Sequence, residues 1–304
     1  MFRKSRPFVF CSLLLAIVVS GCGQKNDLEY QTEIDDWHAN RVERLRSETG
    51  WLTLVGLHPL GPGNNTLGSA ADNDVVMDAV APARLGTLNL IGGRTEFTPE
   101  PGLEIHLFQD GVVSAEPFTG GTIQTDSDGA PDMLASGSLV FYAIQRGEKF
   151  FVRVKDRQSK TLQNFHGIDR YPVAKKWRVT AKLEGEPGTV RVANVLGQVA
   201  AEPTPGILVF ELEGQTCRLK PTGDPAEGLF VVFGDATNGQ GTYPGGRFLA
   251  TGPVTSDGTV VLDFNKAYNP PCVFTAFATC PLPGADSRLP VAVAAGETMW
   301  GTGH

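Results

Sequence analysis

Residues 138–156 read SLVFYAIQRGEKFFVRVKD, and this stretch decides the fold class. Two runs, Ser138–Gln145 and Lys149–Lys155, flank a turn at Arg146–Glu148 that contains a glycine. Runs rich in valine, phenylalanine and tyrosine on both sides of such a turn are typical of a β-hairpin. We therefore predict two antiparallel strands here.

The same pattern predicts two further hairpins. Their strands are Trp177–Leu183 with Thr189–Val195 across Glu184–Gly188, and Ile207–Leu212 with Thr216–Leu219 across Glu213-Gly214. Shorter alternating runs occur at 86–91, 103–108 and 121–125, and the chain holds 36 glycines and 21 prolines for turns. No strand–helix–strand rhythm is present. We predict a mainly β fold, an antiparallel sandwich or barrel-like domain.

One amphipathic helix is predicted before these strands, from Leu28 to about Glu48. Residues that suit a buried face recur at helical spacing with charged residues between them: Leu28, Ile34, Trp37, Arg41, Val42 and Leu45. We expect this helix to cover one end of a sheet.

The amino terminus has the order of a secretory signal: a basic start, an apolar run from Pro7 to Val19, and small residues before Cys22. The apolar run, about 13 residues, is too short to span ~30 Å of hydrocarbon comfortably as a helix. We predict a signal peptide over residues 1–21.

The residues Val19-Ser20-Gly21-Cys22 resemble the bacterial lipobox, in which diacylglycerol is joined to the cysteine thiol. This resemblance implies lipidation of Cys22, a polar tether over 22–27, and an exported protein anchored in the cell membrane or outer membrane. An ordinary signal peptide that contains a cysteine is the alternative.

Charge excludes one class of partner. The chain has a formal net charge of −7, and removal of residues 1–21 would take away three positive charges and no negative ones. An acidic surface repels phosphate backbones and anionic head groups, so we expect no nucleic-acid partner. Membrane attachment would then depend on the lipid.

Three cysteines follow Cys22. Cys217 lies in an alternating run and is expected to face the core. Cys272 and Cys280 are close enough in sequence to pair, so a disulfide and two buried free thiols are both open. Their C-x7-C spacing without a nearby histidine is not a zinc signature, and we expect no metal and no cofactor.

Polar residues concentrate at strand ends in the carboxyl-terminal third. Asp235, Arg247 and Asp263 are candidates for a charged cluster. Tyr243, Tyr268, Asn265 and Asn269 are candidates for apolar walls and hydrogen-bonding groups of a ligand site. The same residue types also cap turns and hold loops, so a structural role is the competing interpretation.

The segment Phe233–Glu297 resembles the bacterial family of domain of unknown function 1684. The resemblance rests on Phe-Gly-Asp-Ala-Thr, Thr-Tyr-Pro-Gly-Gly-Arg-Phe-Leu, Leu-Asp-Phe-Asn-Lys-Ala-Tyr-Asn-Pro-Pro-Cys, Ala-Thr-Cys-Pro-Leu-Pro, Arg-Leu-Pro and Ala-Gly-Glu. Earlier fragments extend it to about Trp37. It implies one domain over 28–304; the polar, turn-rich residues near 127–136 are a possible seam between two lobes. It also implies that the family's polar motif positions are Arg153, Asp156, Asp235, Thr242, Tyr243, Arg247, Asp263, Asn265, Tyr268, Asn269, Cys272, Cys280 and Glu297.

The family brings no activity, so three functions stay open. The first is a membrane-anchored domain that binds a small polar or carbohydrate-like molecule. The second is a hydrolase that uses Asp235, Asp263 or Glu297 as acid and base. The third is a structural lipoprotein of the cell envelope. The sequence does not decide whether the protein is an enzyme.

Overall fold

A computed structural model describes residues 21–77 and 80–301 of the 304-residue chain. Side chains are described from Asn26 onward within these ranges. The expected signal peptide, except for Gly21, therefore lies outside the described residues, as does the side chain of Cys22.

Helix α1 spans Gly21–Arg46, so residues 22–27, expected as a tether, form its first turns. Tyr30, Ile34, Arg41 and Leu45 are buried along one face, at spacings of four, seven and four residues. Leu28, which we placed on this face, is 69% exposed. Leu28 precedes Tyr30 by two residues, so the two side chains lie about 160° apart around the helix axis and Leu28 points to solvent.

The first unit, residues 54–156, contains two sheets. Its strands are β1 Leu54–Pro59, β2 Gly63–Gly68, β3 Val75–Val76, β4 Gly86–Ile91, β5 Arg94–Pro99, β6 His106–Gln109, β7 Val112–Pro117, β8 Gly121–Ile123, β9 Met133–Ser136, β10 Leu139–Arg146 and β11 Lys149–Asp156. Six strands follow the order β1-β11-β10-β9-β6-β7, and five follow β3-β2-β4-β5-β8. The pairing is antiparallel throughout, except between β2 and β3.

The two sheets share one hydrophobic core, which makes the first unit a β-sandwich. Phe97 and Ile123 of the five-stranded sheet pack in the same cluster as Phe141 and Val152 of the six-stranded sheet. The predicted mainly β, antiparallel fold is confirmed. None of the sheets formed by the described strands closes into a barrel.

Strands β10 and β11 form the predicted hairpin, from Leu139 opposite Asp156 to Arg146 opposite Lys149. Alternation along β11 directs Val152 and Val154 into the sandwich core and Arg153 and Lys155 to the opposite face of the sheet. That opposite face is buried as well, since Arg153 and Lys155 are each 5% exposed. The sheet is therefore covered on both sides at this point.

The second unit begins after a short helix, α2 Lys160–Gln163. Its strands are β12 Arg178–Glu184, β13 Gly188–Ala193, β14 Val199–Thr204, β15 Ile207–Leu212, β16 Gln215–Leu219, β17 Phe230–Phe233, β18 Arg247–Ala250 and β19 Thr259–Asp263. Four strands form a sheet in the order β16-β15-β12-β19, and β13-β14 and β17-β18 form separate antiparallel pairs.

One of the two remaining hairpin predictions is confirmed. β15 and β16 pair across Glu213-Gly214, and both turn residues have positive φ, as a tight hairpin turn requires. The hairpin predicted for Trp177–Val195 is wrong. β12 pairs with the distant strands β15 and β19, whereas β13 pairs with β14.

The seam expected near 127–136 is also wrong. β9 lies in this range and pairs with both β6 and β10 inside the first sandwich. The boundary between the two hydrophobic cores lies later in the chain. Val154 belongs to the core of the sandwich, and Trp177 belongs to the core of the second unit.

Short 3-10 helices complete the described elements: Trp51–Thr53, Lys175–Trp177, Phe264–Lys266, Pro271–Val273 and Ala285–Ser287. In the part of the chain that the structure describes, no helix combines the length and apolar character needed to cross a bilayer.

Candidate functional site

Asp235 and Arg247 form a buried ion pair directly after β17 and at the start of β18. The Arg247 guanidinium donates to Asp235 Oδ2 at 2.8 Å, and both side chains are fully buried. Arg247 also donates to the carbonyls of Val293, at 2.8 Å, and Ala295. Asp235 accepts the Val293 amide at 3.1 Å. The pair therefore holds the segment around residues 293–295 against the sheet.

Thr242 belongs to the same group of polar side chains. Its hydroxyl lies 2.8 Å from that of Thr237, which in turn donates to Asp235 Oδ1 at 2.6 Å. The Asn238 amide donates to the Thr242 hydroxyl at 2.9 Å. These bonds shape the loop between β17 and β18 from within.

Asp263 lies apart from the cluster in which we expected it. Its carboxylate accepts the Tyr30 hydroxyl, with O–O distances of 2.8 and 2.9 Å, and the Asn265 amide nitrogen at 3.1 Å. The Asn265 side chain donates to the Tyr30 hydroxyl and to the Ala174 carbonyl. Burial, together with the bond to Asp263, raises the pKa of Tyr30 above its ordinary value.

A third group surrounds Glu297, which is 1% exposed. Its carboxylate lies 3.3 Å from Arg41 Nε and accepts the Asn269 backbone amide at 2.7 Å. Arg41 also donates to the Asn269 carbonyl at 3.0 Å and lies 4.8 Å from the centre of the Tyr268 ring. Burial raises the pKa of Glu297, and the Arg41 charge opposes that rise.

Tyr30 and Arg41 are therefore partners of the carboxyl-terminal motif that the sequence analysis missed. Arg41 was placed on the buried helical face for its spacing, and Tyr30 was not named. Their positions could have indicated this role, because Tyr30 and Arg41 lie with Ile34 and Leu45 on one continuous face of the helix.

Cys272 and Cys280, for which a disulfide and two free thiols were both open, are free, buried thiols. The Cys272 backbone amide donates to Cys280 Sγ at 3.1 Å. A hydrogen bond from Cys280, and a second from the Tyr243 hydroxyl, lower the pKa of Cys272 to about 7, and burial opposes this shift. Burial and the bond to Cys272 raise the pKa of Tyr243. Cys217 faces the core of the second unit, as predicted.

Arg153 and Asp156, both on β11, do not form a pair. Asp156 accepts the Gln158 backbone amide at 2.9 Å and shapes the turn after the strand. The Arg153 guanidinium lies 5.4 Å from the ring centre of Trp51 and 5.9 Å from that of Tyr142, and its Nε has no hydrogen-bond partner.

The predicted site residues are thus distributed over separate buried groups rather than around one open pocket. Within the described residues, no three or more His, Cys, Asp or Glu side chains are grouped to hold a metal ion. Most charged and polar atoms of these groups pair with one another, as a structural role requires, but Arg153 Nε, Arg247 Nε and Asn269 Oδ1 are buried without a partner.

A cavity of about 720 Å³ lies elsewhere, between the tip of the β10–β11 hairpin and the β13–β14 pair. Its apolar wall includes Val192, Val199, Phe230, Val232 and Pro281. A neighbouring cavity of about 340 Å³ shares Val192, Phe230 and Val232 with it. No predicted site residue lines the larger cavity.

Polar groups occupy the rim of this larger cavity. Side-chain amides come from Gln145, Asn194 and Gln198. The charged residues are two bases and two acids, which balance: Arg146, Lys149, Glu148 and Glu202. The cavity therefore combines apolar walls with hydrogen-bonding groups and no strong net charge.

Fold and contacts together define a β-rich protein in which a sandwich adjoins a second unit held by buried ion pairs. Residues 163–298 match the model of the family described as "Protein of unknown function (DUF1684)". This match supports a domain similar to that family within the second unit. The match begins at residue 163, whereas the resemblance drawn from the sequence extended to Trp37.

One solved structure similar to this chain is a solution NMR structure of an uncharacterized protein from gene locus rrnAC0354 of Haloarcula marismortui. The two are 32% identical, the alignment covers 45% of this chain and 78% of the other, and the TM-score is 0.38. No curated protein matches this chain at a significant level.

Proposed function

We propose that this protein binds a small molecule in the cavity between its two units, while lipid on Cys22 anchors it to a membrane. The polar family motif serves as the framework of the second unit in this proposal. The observation that carries it is the 720 Å³ cavity, with an apolar wall on β13, β14 and β17 and a polar rim.

Size and lining support this choice. Ligand pockets have volumes of roughly 300–1,000 Å³ and combine apolar walls with a few polar groups. The balanced charges of Arg146, Lys149, Glu148 and Glu202 favour a neutral or zwitterionic ligand over a multiply charged one. An amphipathic metabolite fits this description better than the small polar or carbohydrate-like ligand that the sequence suggested.

The hydrolase alternative has less support. Acid–base catalysis needs carboxyl groups within hydrogen-bond reach of a substrate. Asp235 bonds to Arg247, Asp263 bonds to Tyr30, and Glu297 bonds to Arg41 and Asn269. These three carboxylates belong to three different buried groups, so none is free for a substrate.

Thermal-shift measurement against a panel of amphipathic metabolites tests the binding proposal, since a ligand that binds the native state raises the melting temperature. We expect at least one neutral or zwitterionic compound to raise it. Val232→Trp would fill the cavity and abolish that shift. Val261→Trp is the matched control, because Val261 is 43% exposed on β19 and lines none of the cavities described here.

Equal shifts for wild type and Val232→Trp would contradict binding in this cavity. A compound that still shifts the melting temperature of Val232→Trp but not that of Asp263→Asn would bind at the polar motif rather than in the cavity.

The anchor is tested separately. Cys22→Ala removes the only thiol of the lipobox-like quartet, so we expect a protein that incorporates no labelled fatty acid and leaves the membrane fraction. Two or more acyl chains give stable anchoring, so the wild type should stay in that fraction through high-salt washing. Continued membrane partition of Cys22→Ala would contradict the lipid anchor.

A further inference from the structure

Two cations are buried side by side on β11 without a carboxylate between them. Arg153 and Lys155 are each 5% exposed, and neither forms an ion pair with an acid among the described residues. The Lys155 ammonium donates to the Thr49 carbonyl, whereas Arg153 Nε has no partner. Buried charges in proteins are normally paired, so we expect a protein group that can become negative close to these two cations.

Aromatic rings provide only part of the stabilisation. Arg153 and Lys155 lie 5.4 and 5.8 Å from the centre of the Trp51 ring. The attraction between a cation and a ring is weaker than the cost of burying an unpaired charge. Burial and the charge of Arg153 lower the pKa of Lys155 to about 8, so this ammonium can lose its proton. Arg153 cannot, because guanidinium stays protonated in proteins.

A group that can become an anion, the cysteine pair of the second unit, packs against the same Trp51 ring. Trp51, which contacts both cations, packs in the cluster that contains Cys272, Cys280 and Tyr243. The Cys272 backbone amide donates to Cys280 Sγ at 3.1 Å, so the two cysteines are adjacent. The bond to Cys272 and burial raise the pKa of Cys280, and the charge of Arg153 opposes that rise. Interactions with Cys280 and the Tyr243 hydroxyl lower the pKa of Cys272.

We propose that Cys272 and Cys280 form a reactive dithiol that shares one thiolate and one proton, with Arg153 as its counter-charge. The second proton is held more tightly than the first, because removing it would place two thiolates in contact. This assigns the site to thiol chemistry with small disulfides, and it does not depend on the ligand cavity.

The exchange reaction balances in two steps. The shared thiolate attacks one sulfur of a small disulfide, whose S–S bond breaks, and one thiolate leaves while a mixed disulfide forms. The second cysteine gives its proton to solvent and attacks the protein sulfur of that mixed disulfide. The Cys272–Cys280 disulfide forms, and the second thiol of the reagent leaves. Starting from the form with one thiolate and one proton, the protein loses two electrons and one proton, and the reagent leaves as two thiolates, one of which takes up that proton.

Ultraviolet absorbance of the thiolate, recorded against pH on the folded full-length protein, tests the proposal without requiring a reagent to enter. We expect one thiolate to form about one pH unit or more below the ordinary cysteine value of about 8.5. Cys272→Ser should remove this transition. Arg153→Met should move it upward by about one unit, a tenfold loss of thiolate near neutral pH. Arg157→Met is the matched control, since Arg157 lies over Phe108 and pairs with the exposed Glu48.

Arg153→Lys keeps the positive charge and replaces Arg153→Met as the test variant if Arg153→Met does not fold. In Arg153→Lys the thiolate should still form at the low pH seen in the wild type. Treatment with oxidised glutathione should then give a protein lighter by two hydrogens, with the bond between residues 272 and 280 located by tandem mass spectrometry. A wild-type transition at or above the ordinary value overturns the proposal. So does a transition that Arg153→Met leaves unmoved, which would indicate that an external anion balances Arg153.

Discussion

The Arg247 guanidinium combines a charge, a ring contact and several carbonyl contacts in one buried position. It pairs with Asp235, lies 5.4 Å from the ring centre of Phe233, and donates to the carbonyls of Val293 and Ala295. Removing it would leave a buried carboxylate without a cation and take a donor from two carbonyls, of which that of Val293 keeps the Ala295 amide. Such groups are costly because water cannot replace the lost partner.

Arg247→Met should therefore reduce the free energy of unfolding by about 3–5 kcal/mol, the usual effect of breaking a buried ion pair. Arg218→Met is the control, because Arg218 is exposed on β16 and should change stability by less than about 0.5 kcal/mol. Urea unfolding followed by circular dichroism measures both. A loss below about 1 kcal/mol for Arg247→Met would indicate that the pair is not a structural anchor.

Helix α1 supplies side chains to two of the buried groups at once. Tyr30 reaches Asp263, and eleven residues later Arg41 reaches Glu297. Eleven residues is close to three helical turns, so both side chains leave the same face. The helix thus joins an amino-terminal segment outside the family match to motif positions inside it.

Arg41→Met should destabilise the protein in a pH-dependent manner. Burial already raises the folded-state pKa of Glu297, and Arg41 opposes the rise, so its removal raises that pKa further. Below the ordinary glutamate range the carboxyl is protonated in both states, and the variant loses only the remaining contacts of Arg41. The deficit should grow as pH rises through that range, reaching about 3 kcal/mol above the folded pKa.

Unfolding free energies across pH 4–8 provide the measurement, with Arg44→Met as control because Arg44 is exposed on the same helix. A deficit that does not change with pH would exclude Glu297 as the group that Arg41 balances.

At the scale of elements, what could be predicted followed from local pattern. The hairpins at 138–156 and 207–219 were predictable because a tight turn joins strands that pair with each other. Trp177–Val195 has the same pattern, but β12 finds its partners in β15 and β19, and nothing near it in sequence indicates this. Tyr30 was missed because a polar tip on an apolar ring does not by itself indicate a buried partner 233 residues away.

At the scale of the whole molecule, the candidate cavity was unpredictable for the same reason. Its wall combines the tip of one hairpin, the β13–β14 pair, β17 and residues near Cys280. These segments come together only when the two units meet. The polar motif could be predicted from the sequence, but its burial could not. Burial is what distinguishes residues that hold the fold together from residues that line a pocket.

Amide hydrogen exchange, with and without the compound that gives the largest thermal shift, tests the central claim most directly. Binding in the cavity between the units predicts protection at residues 145–149, 192–200 and 230–232, with little change at 235–247 and 263–269. Protection concentrated at 235–247 and 263–269, with none at the cavity wall, would contradict the account and return the ligand to the family's polar motif.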